Sequence, residues 1–299
     1  SEAKTGQMWY NSTDGKLRAL GLVEAFSSAS PVITASVKGA GFGPVGGPNI
    51  MFGGTQPPYT TSQIEYNGSG WASDGTYPQG LVGVGVTGVS TAAIAVGGDN
   101  AGPPSYPSGV YNGPALEYNG SSWTAGGALG TARFSLGGVG TQTAGLAFGG
   151  GGGTATEEYD GSSWTSGGAL NTARRLIAGA GIQTAALAMG GTPTSTANEG
   201  YNGTAWTNLT SKNTGAPSGA GGGTQTSAVC FISNGNTEEW NGTGWTNNAP
   251  MATARSYLSG CGTQPAGLGF GGYASGAKNN TEEYTGTDPT VTASTLTTS

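Results

Sequence analysis

The sequence predicts an all-β fold: a six-bladed β-propeller of four-stranded antiparallel blades, with a short N-terminal β-hairpin extension. Three observations predict it. A small pair, usually Gly-Gly, closes a short apolar run six times along the chain. A Glu-aromatic step follows five of the six pairs, and an Asn-Gly or Asp-Gly step usually follows the aromatic. A tryptophan then comes five residues after the aromatic in most of the units. A unit of this length buries its faces only against its neighbours, so the repeat sets the architecture.

The small pairs fall at Gly53-Gly54, Gly97-Gly98, Gly149-Gly150, Gly190-Gly191, Ser233-Asn234 and Gly271-Gly272. The aromatics are Tyr66, Tyr118, Tyr159, Tyr201, Trp240 and Tyr284. Both series give six units. The tryptophans are Trp71, Trp123, Trp164, Trp206 and Trp245, and the sixth unit has none. In the unit with the clearest motif, strand a is expected over Arg133–Gly140, b over Ala144–Phe148, c over Ala155–Tyr159, and d from Trp164. Asp160-Gly161 joins c to d there. Asn67-Gly68, Asn119-Gly120, Asn202-Gly203 and Asn241-Gly242 do so elsewhere. These dipeptides accept the positive φ of a type I′ hairpin turn. Small residues in strand a suit a crowded axis, and the wide aromatics of c and d fill the space where blades diverge. A solenoid is the competing repeat fold, but it does not require a four-strand unit with this hairpin.

A ring must join its first and last blades, or two sheet edges stay open. Two segments can supply the sixth d strand. Thr290–Thr298 is β-prone, and the sequence reading prefers it; truncation after Thr287 would then lower thermal stability sharply. The alternative is Ala25–Ser30, with Phe26 in place of the missing tryptophan. The domain reading is an attachment segment at residues 1–24 and a propeller at residues 25–299.

Glycine is 60 of 299 residues and only 9% are charged. That glycine content is about three times ordinary usage. Disorder is opposed by the sparse charge and the regularly placed aromatics. The net charge is −6, and the ten basic residues are scattered, so nucleic acid is not an expected partner. No apolar run is long enough to span a bilayer, and SEAKTGQMWYNSTDG does not resemble a signal peptide. Synthesis in the cytoplasm is the expectation.

The chain contains no histidine. That removes the usual general base and the commonest metal ligand, so no cofactor, metal or catalytic residue is expected. Cys230 and Cys261 read as small buried thiols, with a disulfide as the alternative. Glu65, Glu117, Glu158, Glu239 and Glu283 precede the repeated aromatics. Symmetry spreads them around a ring, so a scaffold role with Arg133, Arg174 and Arg255 or with backbone is expected, not paired-carboxylate hydrolysis. The sequons at Asn11, Asn67, Asn119, Asn202, Asn208, Asn241 and Asn279 read mostly as turn chemistry.

Two features are candidate binding elements. Gln142, Gln183, Gln225 and Gln264 recur in the a–b turns and would ring one mouth of the axis, holding waters or a small ligand or simply closing the turns. The insertion Asp99–Pro114 breaks the symmetry of the second unit and projects on the opposite face. Its Asp99, Asn100, Tyr106, Tyr111 and Asn112 suit sugar binding or protein docking, or form a plain surface insertion.

The Gly-Gly, the following aromatic and the tryptophan resemble kelch-type propeller blades over roughly residues 30–299. Oxidase relatives of that fold use histidine and tyrosine ligands to metal, and this chain lacks the histidine. Gln7–Leu20 (QMWYNSTDGKLRAL) reads as a hairpin and resembles a short module of bacteriophage tail-fibre and virion proteins. The threonine- and glycine-rich blades and closing TLTTS are similar to propellers of marine phages. The resemblance implies a non-enzymatic virion structural or host-attachment protein, made in the host cytoplasm. Trp9, Tyr10 and Leu17 would then dock to other virion proteins or sister chains, and the propeller would face a host glycan or protein, with no membrane insertion. A cellular kelch-like interaction or lectin module is the alternative.

Overall fold

The computed structural model describes residues 8–11, 16–19, 25–33, 38–43, 48–54, 60–99, 115–193, 196–215 and 217–286. An N-terminal hairpin pairs β1 (Met8–Asn11) with β2 (Lys16–Ala19), Trp9 opposite Arg18 and Tyr10 opposite Leu17. The strand β3 (Ala25–Ala29) follows. Blade one is β4 (Ala40–Phe42), β5 (Asn49–Phe52), β6 (Ser62–Tyr66) and β7 (Trp71–Thr76). Blade two is β8 (Gly85–Val89), β9 (Ala92–Val96), β10 (Leu116–Tyr118) and β11 (Trp123–Ala125). Blade three is β12 (Gly137–Thr141), β13 (Ala144–Phe148), β14 (Thr156–Tyr159) and β15 (Trp164–Ser166). Blade four is β16 (Ala178–Ile182), β17 (Ala185–Met189), β18 (Asn198–Tyr201) and β19 (Trp206–Asn208). Blade five is β20 (Ser218–Gly223), β21 (Ala228–Ile232), β22 (Thr237–Trp240) and β23 (Trp245–Asn248). Blade six is β24 (Ser259–Gly262), β25 (Ala266–Phe270) and β26 (Thr281–Thr285), completed by β3. The fold is a six-bladed, all-β propeller.

The ring closes through the N-terminal side, which corrects the preference for Thr290–Thr298. β3 lies antiparallel against β26, with Phe26 opposite Tyr284. That is the register in which Trp123 faces Tyr118 and Trp164 faces Tyr159. Phe26 therefore stands in the tryptophan slot, 5.0 Å from the Tyr284 ring and 5.7 Å from Phe231. Residues 290–298 lie outside the described residues. The sheet position beside β26 is filled by β3.

In blade three, strand a begins at Gly137 rather than Arg133. Arg133 is instead turned into the blade, and Ser135 adopts φ 55° just before the strand. Equivalent left-handed residues open blades one, two, four and six: Lys38, Gly83, Leu176 and Tyr257. Their backbones bond around the axis. Gly83 N–H donates to Lys38 O, Ser135 to Gly83 O at 2.6 Å, Leu176 to Ser135 O at 2.8 Å, and Lys38 to Tyr257 O at 3.1 Å.

Around the axis, neighbouring a strands pack backbone to backbone. A Cβ on Gly222 of blade five would lie 2.4 Å from the carbonyl oxygen of Gly262 in blade six, so only glycine allows this approach. Burial is concentrated between blades. Phe52, Phe148 and Phe270 end their b strands, Phe231 is next to last in its own, and all four are almost wholly enclosed, each facing an aromatic of the next blade's d strand.

Strands a and c run from one face of the disc to the other, and b and d return. One face therefore carries the a–b and c–d turns, and the other carries the b–c and d–a loops. The propeller begins and ends on the turn face: Ala25 pairs with Thr285, and Gly286 N–H donates to Pro265 O in the a–b turn of blade six.

Candidate functional site

The repeated polar residues form a joint between successive blades. Tyr201 Oη of blade four donates to Glu158 of blade three at 2.5 Å, and Tyr284 of blade six to Glu239 of blade five at 2.9 Å. Tyr159 donates in the same way to Glu117. Tyr66 of blade one donates to Glu283 of blade six at 2.7 Å, so the joint crosses the seam where the ring closes. Burial, reinforced by the neighbouring carboxylate, pushes the phenols of Tyr66, Tyr159 and Tyr201 up to about 12. Tyr118 reaches about 12 by burial and by donating to Asp74 at 2.9 Å.

The joint of blades four and five lacks a carboxylate, and both partners change together. Blade four has Gly200 where the others have glutamate, and blade five has Trp240 where the others have tyrosine. With no carboxylate to meet, the indole N–H of Trp240 donates to Gln225 O at 2.9 Å.

The d-strand tryptophans make a second contact across the same interfaces. Trp206 Nε1 donates to Thr156 Oγ1 at 2.9 Å, Trp123 to Gln63 at 2.6 Å, and Trp71 to Thr281 at 3.0 Å. Thr237 occupies the matching acceptor position in blade five. Its hydroxyl has no hydrogen-bond partner among the described residues.

A buried ion pair sits inside blades three, four and six. Arg133 meets Glu157, Arg174 meets Glu199 at 2.8 Å, and Arg255 meets Glu282. Burial lowers the Arg174 pKa from its ordinary value, and Glu199 opposes that shift. Each glutamate also accepts from the incoming loop: Glu157 from Gly130 and Thr131 N–H, Glu199 from Asn171 and Thr172. Arginine therefore pairs with the glutamate one position before the one that meets tyrosine. Blade two replaces the whole unit. Leu81 and Leu116 stand at the arginine and glutamate positions within one apolar cluster, and Pro78, which has no N–H to satisfy, stands at the position of Gly130. Blade five has no arginine at this position. Lys212, four residues earlier, is buried with its Nζ 3.8 Å from Cys230 Sγ. Cys230 and Cys261 are both buried and are not joined in a disulfide. Burial pushes the Cys261 thiol up to about 12.

The four glutamines of the a–b turns reach back to the preceding blade. Gln142 Nε2 donates to Tyr118 O at 2.9 Å, Gln183 to Tyr159 O at 2.7 Å, and Gln225 to Tyr201 O at 2.6 Å. Gln264 donates to Glu239 at 3.1 Å and accepts from Ser227. Their amides are placed between blades, not at the axial mouth. The axis encloses a cavity of about 280 Å³, walled mainly by the a strands, with Val86, Gly138, Gly179 and Gly260 among its lining.

Of the second-blade insertion, Asp99 is fully buried and exchanges both backbone hydrogen bonds with Val82, at 3.0 and 3.1 Å. It anchors the loop's first residue. Asn100, Tyr106, Tyr111 and Asn112 lie outside the described residues. Trp9, Tyr10 and Leu17 are placed on the two strands of the hairpin. The c–d connections are not the type I′ turns expected: four residues link the strands, as 67–70 do between Tyr66 and Trp71, and of each Asx-Gly step only the glycine holds a positive φ, so the Asx side chain closes the turn. Asp160 Oδ1 accepts from Ser162 and Ser163 N–H, which holds its carboxyl down to about 2. Asn67, Asn119, Asn202 and Asn241 accept in the same pattern. Among the described residues, no cluster of three or more histidine, cysteine or acidic side chains could hold a metal ion.

No family model matches the chain. No curated protein matches it either. The described geometry thus stands alone: a closed ring whose repeated polar groups are engaged across blade interfaces, with two faces of different character.

Proposed function

We propose that this chain is a kelch-like propeller of a bacteriophage particle, a non-enzymatic virion structural or host-attachment protein that serves as a docking platform. The observation that carries the reading is the use made of its polar repeats. Glu117, Glu158, Glu239 and Glu283, and the four turn glutamines, which could have supplied chemistry, are engaged in blade-to-blade bonds. What remains for function is the surface of a rigid disc, and rigid discs present loops. Both propeller ends lie on the turn face, so attachment through the N-terminal hairpin turns the loop face outward. The resemblance of QMWYNSTDGKLRAL to tail-fibre hairpins supplies the biological setting.

The test is co-purification. The chain is expected to sediment with intact particles, and Trp9→Ala with Leu17→Ala is expected to release it while the propeller stays folded. Absence from particles, with capture by a cellular partner instead, would favour a cellular kelch-like interaction module. A hydrolytic turnover abolished by Glu158→Gln would overturn the non-enzymatic reading.

A further inference from the structure

We propose that the loop face binds an acidic polysaccharide at the junction of blades six and one, through Lys38, Tyr257, Tyr273 and Lys278. The inference rests on the docking-platform reading and adds to it the face, the residues and the class of ligand.

The first observation is a charge polarity hidden by the net charge of −6. In the loops of this face, Arg133, Arg174, Lys212 and Arg255 are buried, while Lys38, Arg175 and Lys278 are partly exposed. The one carboxylate of the described b–c and d–a loops, Asp99, is fully buried. The residues from Asn100 to Pro114 contain no charge at all. Asp74, on strand β7, is held by Gln63 and Tyr118 at 2.7 and 2.9 Å. The turn face, by contrast, carries the exposed Asp160. An acidic protein thus presents cations on the face opposite the one where the propeller begins and ends, at Ala25 and Gly286.

The second observation is a local concentration. Lys38 Nζ lies 4.6 Å from the centroid of the Tyr257 ring. Ser256, beside Tyr257, exchanges both backbone hydrogen bonds with Tyr273, at 2.9 and 2.7 Å. Tyr273 also bridges to Ala277, and Lys278 N–H donates to Gly272 O at 2.8 Å. One backbone knot therefore raises two tyrosines and two lysines together. The tyrosines are 37% and 49% exposed, where the phenols and indoles of the blade joints are largely buried.

The third observation is conformational. Lys38, Tyr257 and Ser275 hold φ of 57°, 55° and 51°. The equivalent residue of blade two is Gly83, for which such a φ is unstrained. Ser135 and Leu176 hold the same φ in blades three and four, so this backbone belongs to the repeat; at the junction of blades six and one it presents a lysine and a tyrosine.

The chemistry fits pyranose rings that bear acid groups. A tyrosine face stacks on the C–H face of a sugar, and an ammonium group meets the carboxylate or sulfate of the same or next ring. Three accessible cations are too few for the phosphate density of a nucleic acid.

The full chain is titrated calorimetrically with polygalacturonate, dextran sulfate, neutral dextran and polyglutamate. Polygalacturonate or dextran sulfate is expected to bind and neutral dextran not to bind; which of the two is tighter tells carboxylate from sulfate as the source of charge. Tyr273→Ala and Lys278→Gln are each expected to raise Kd by about fivefold or more. Asp160→Asn on the opposite face is expected to leave Kd unchanged. Binding of neither acidic polysaccharide, or binding indifferent to both Tyr273→Ala and Lys278→Gln, would overturn the proposal. So would polyglutamate binding equally well with Tyr273→Ala without effect, which would make the face a docking site for acidic protein. Particle association that survives while polysaccharide binding fails would sink this inference alone; the reverse would sink the virion reading alone.

Discussion

The contrast between blades two and four supports a double-mutant cycle at Arg174 and Glu199. Glu199→Leu leaves a wholly buried guanidinium without its carboxylate. Breaking a buried pair from one side costs about 3–5 kcal/mol. The N–H groups of Asn171 and Thr172 lose an acceptor too, but both residues are exposed and water replaces it. The cost therefore comes from the cation. Adding Arg174→Leu removes that cation and recreates the leucine pair that blade two uses at Leu81 and Leu116. It also strips the donor from Gly190 O and Ala197 O, at 2.5 and 3.2 Å. A residual cost of about 1–3 kcal/mol is expected from those carbonyls. The double variant should then be more stable than Glu199→Leu alone, with a coupling of about 2 kcal/mol or more between the two sites. Urea unfolding followed by tryptophan fluorescence measures it, with slopes compared so that the midpoints can be read as stability. Additive losses would refute the reasoning, because they would mean that the guanidinium is stable without the carboxylate.

Phe26→Trp should restore the indole that the other described seams carry and give Thr237 Oγ1 its donor; a gain of about 1 kcal/mol is expected, read as a Tm higher by a few degrees. Gly222→Ala forces a methyl against the Gly262 carbonyl, and a loss of about 1–3 kcal/mol or more is expected from the same urea measurement. The phenols of Tyr66, Tyr118, Tyr159 and Tyr201 rise from 10.0 to about 12 because burial disfavours the phenolate and, second, because the neutral form is the one that donates to a carboxylate. A raised pKa means that their contribution is complete below the unfolded value and is lost as pH climbs through the folded one. Stability should hold to about pH 10 and fall between pH 10 and about 12, tracked by unfolding midpoint and by tyrosinate absorbance; a fall that begins near pH 8 would contradict the assignment.

The blade count was legible because each element has a local cause. Asn-Gly and Asp-Gly make the same turn wherever they occur, and the Gly-Gly, tyrosine and tryptophan positions keep one register through the ring. The closing strand was not legible. AFSSA carries phenylalanine where a tryptophan was sought, and a threonine-rich tail offered better β propensity; only pairing with Tyr284 decides between them. The glutamates were legible as scaffold, but not which of each doublet meets arginine and which meets tyrosine, since adjacent strand residues point to opposite faces of a blade. The turn glutamines were read from their mutual symmetry, whereas their amides answer to the carbonyls of the preceding blade. The cationic face was missed for a topological reason. Lys38 and Lys278 stand near opposite ends of the chain, and a composition that counts charges cannot see them meet.

Ring closure by residues 25–29 underlies the placement of both ends of the propeller, Ala25 and Gly286, on the turn face. Ala25→Cys with Thr285→Cys tests it, because these residues lie directly opposite in the register of the last sheet while the native Cys230 and Cys261 are buried. Mild oxidation should give an intramolecular cross-link in the monomer, seen as one disulfide-linked peptide pair by mass spectrometry. Cross-links found only between molecules, or none at all in folded protein, would contradict closure through the N-terminal strand.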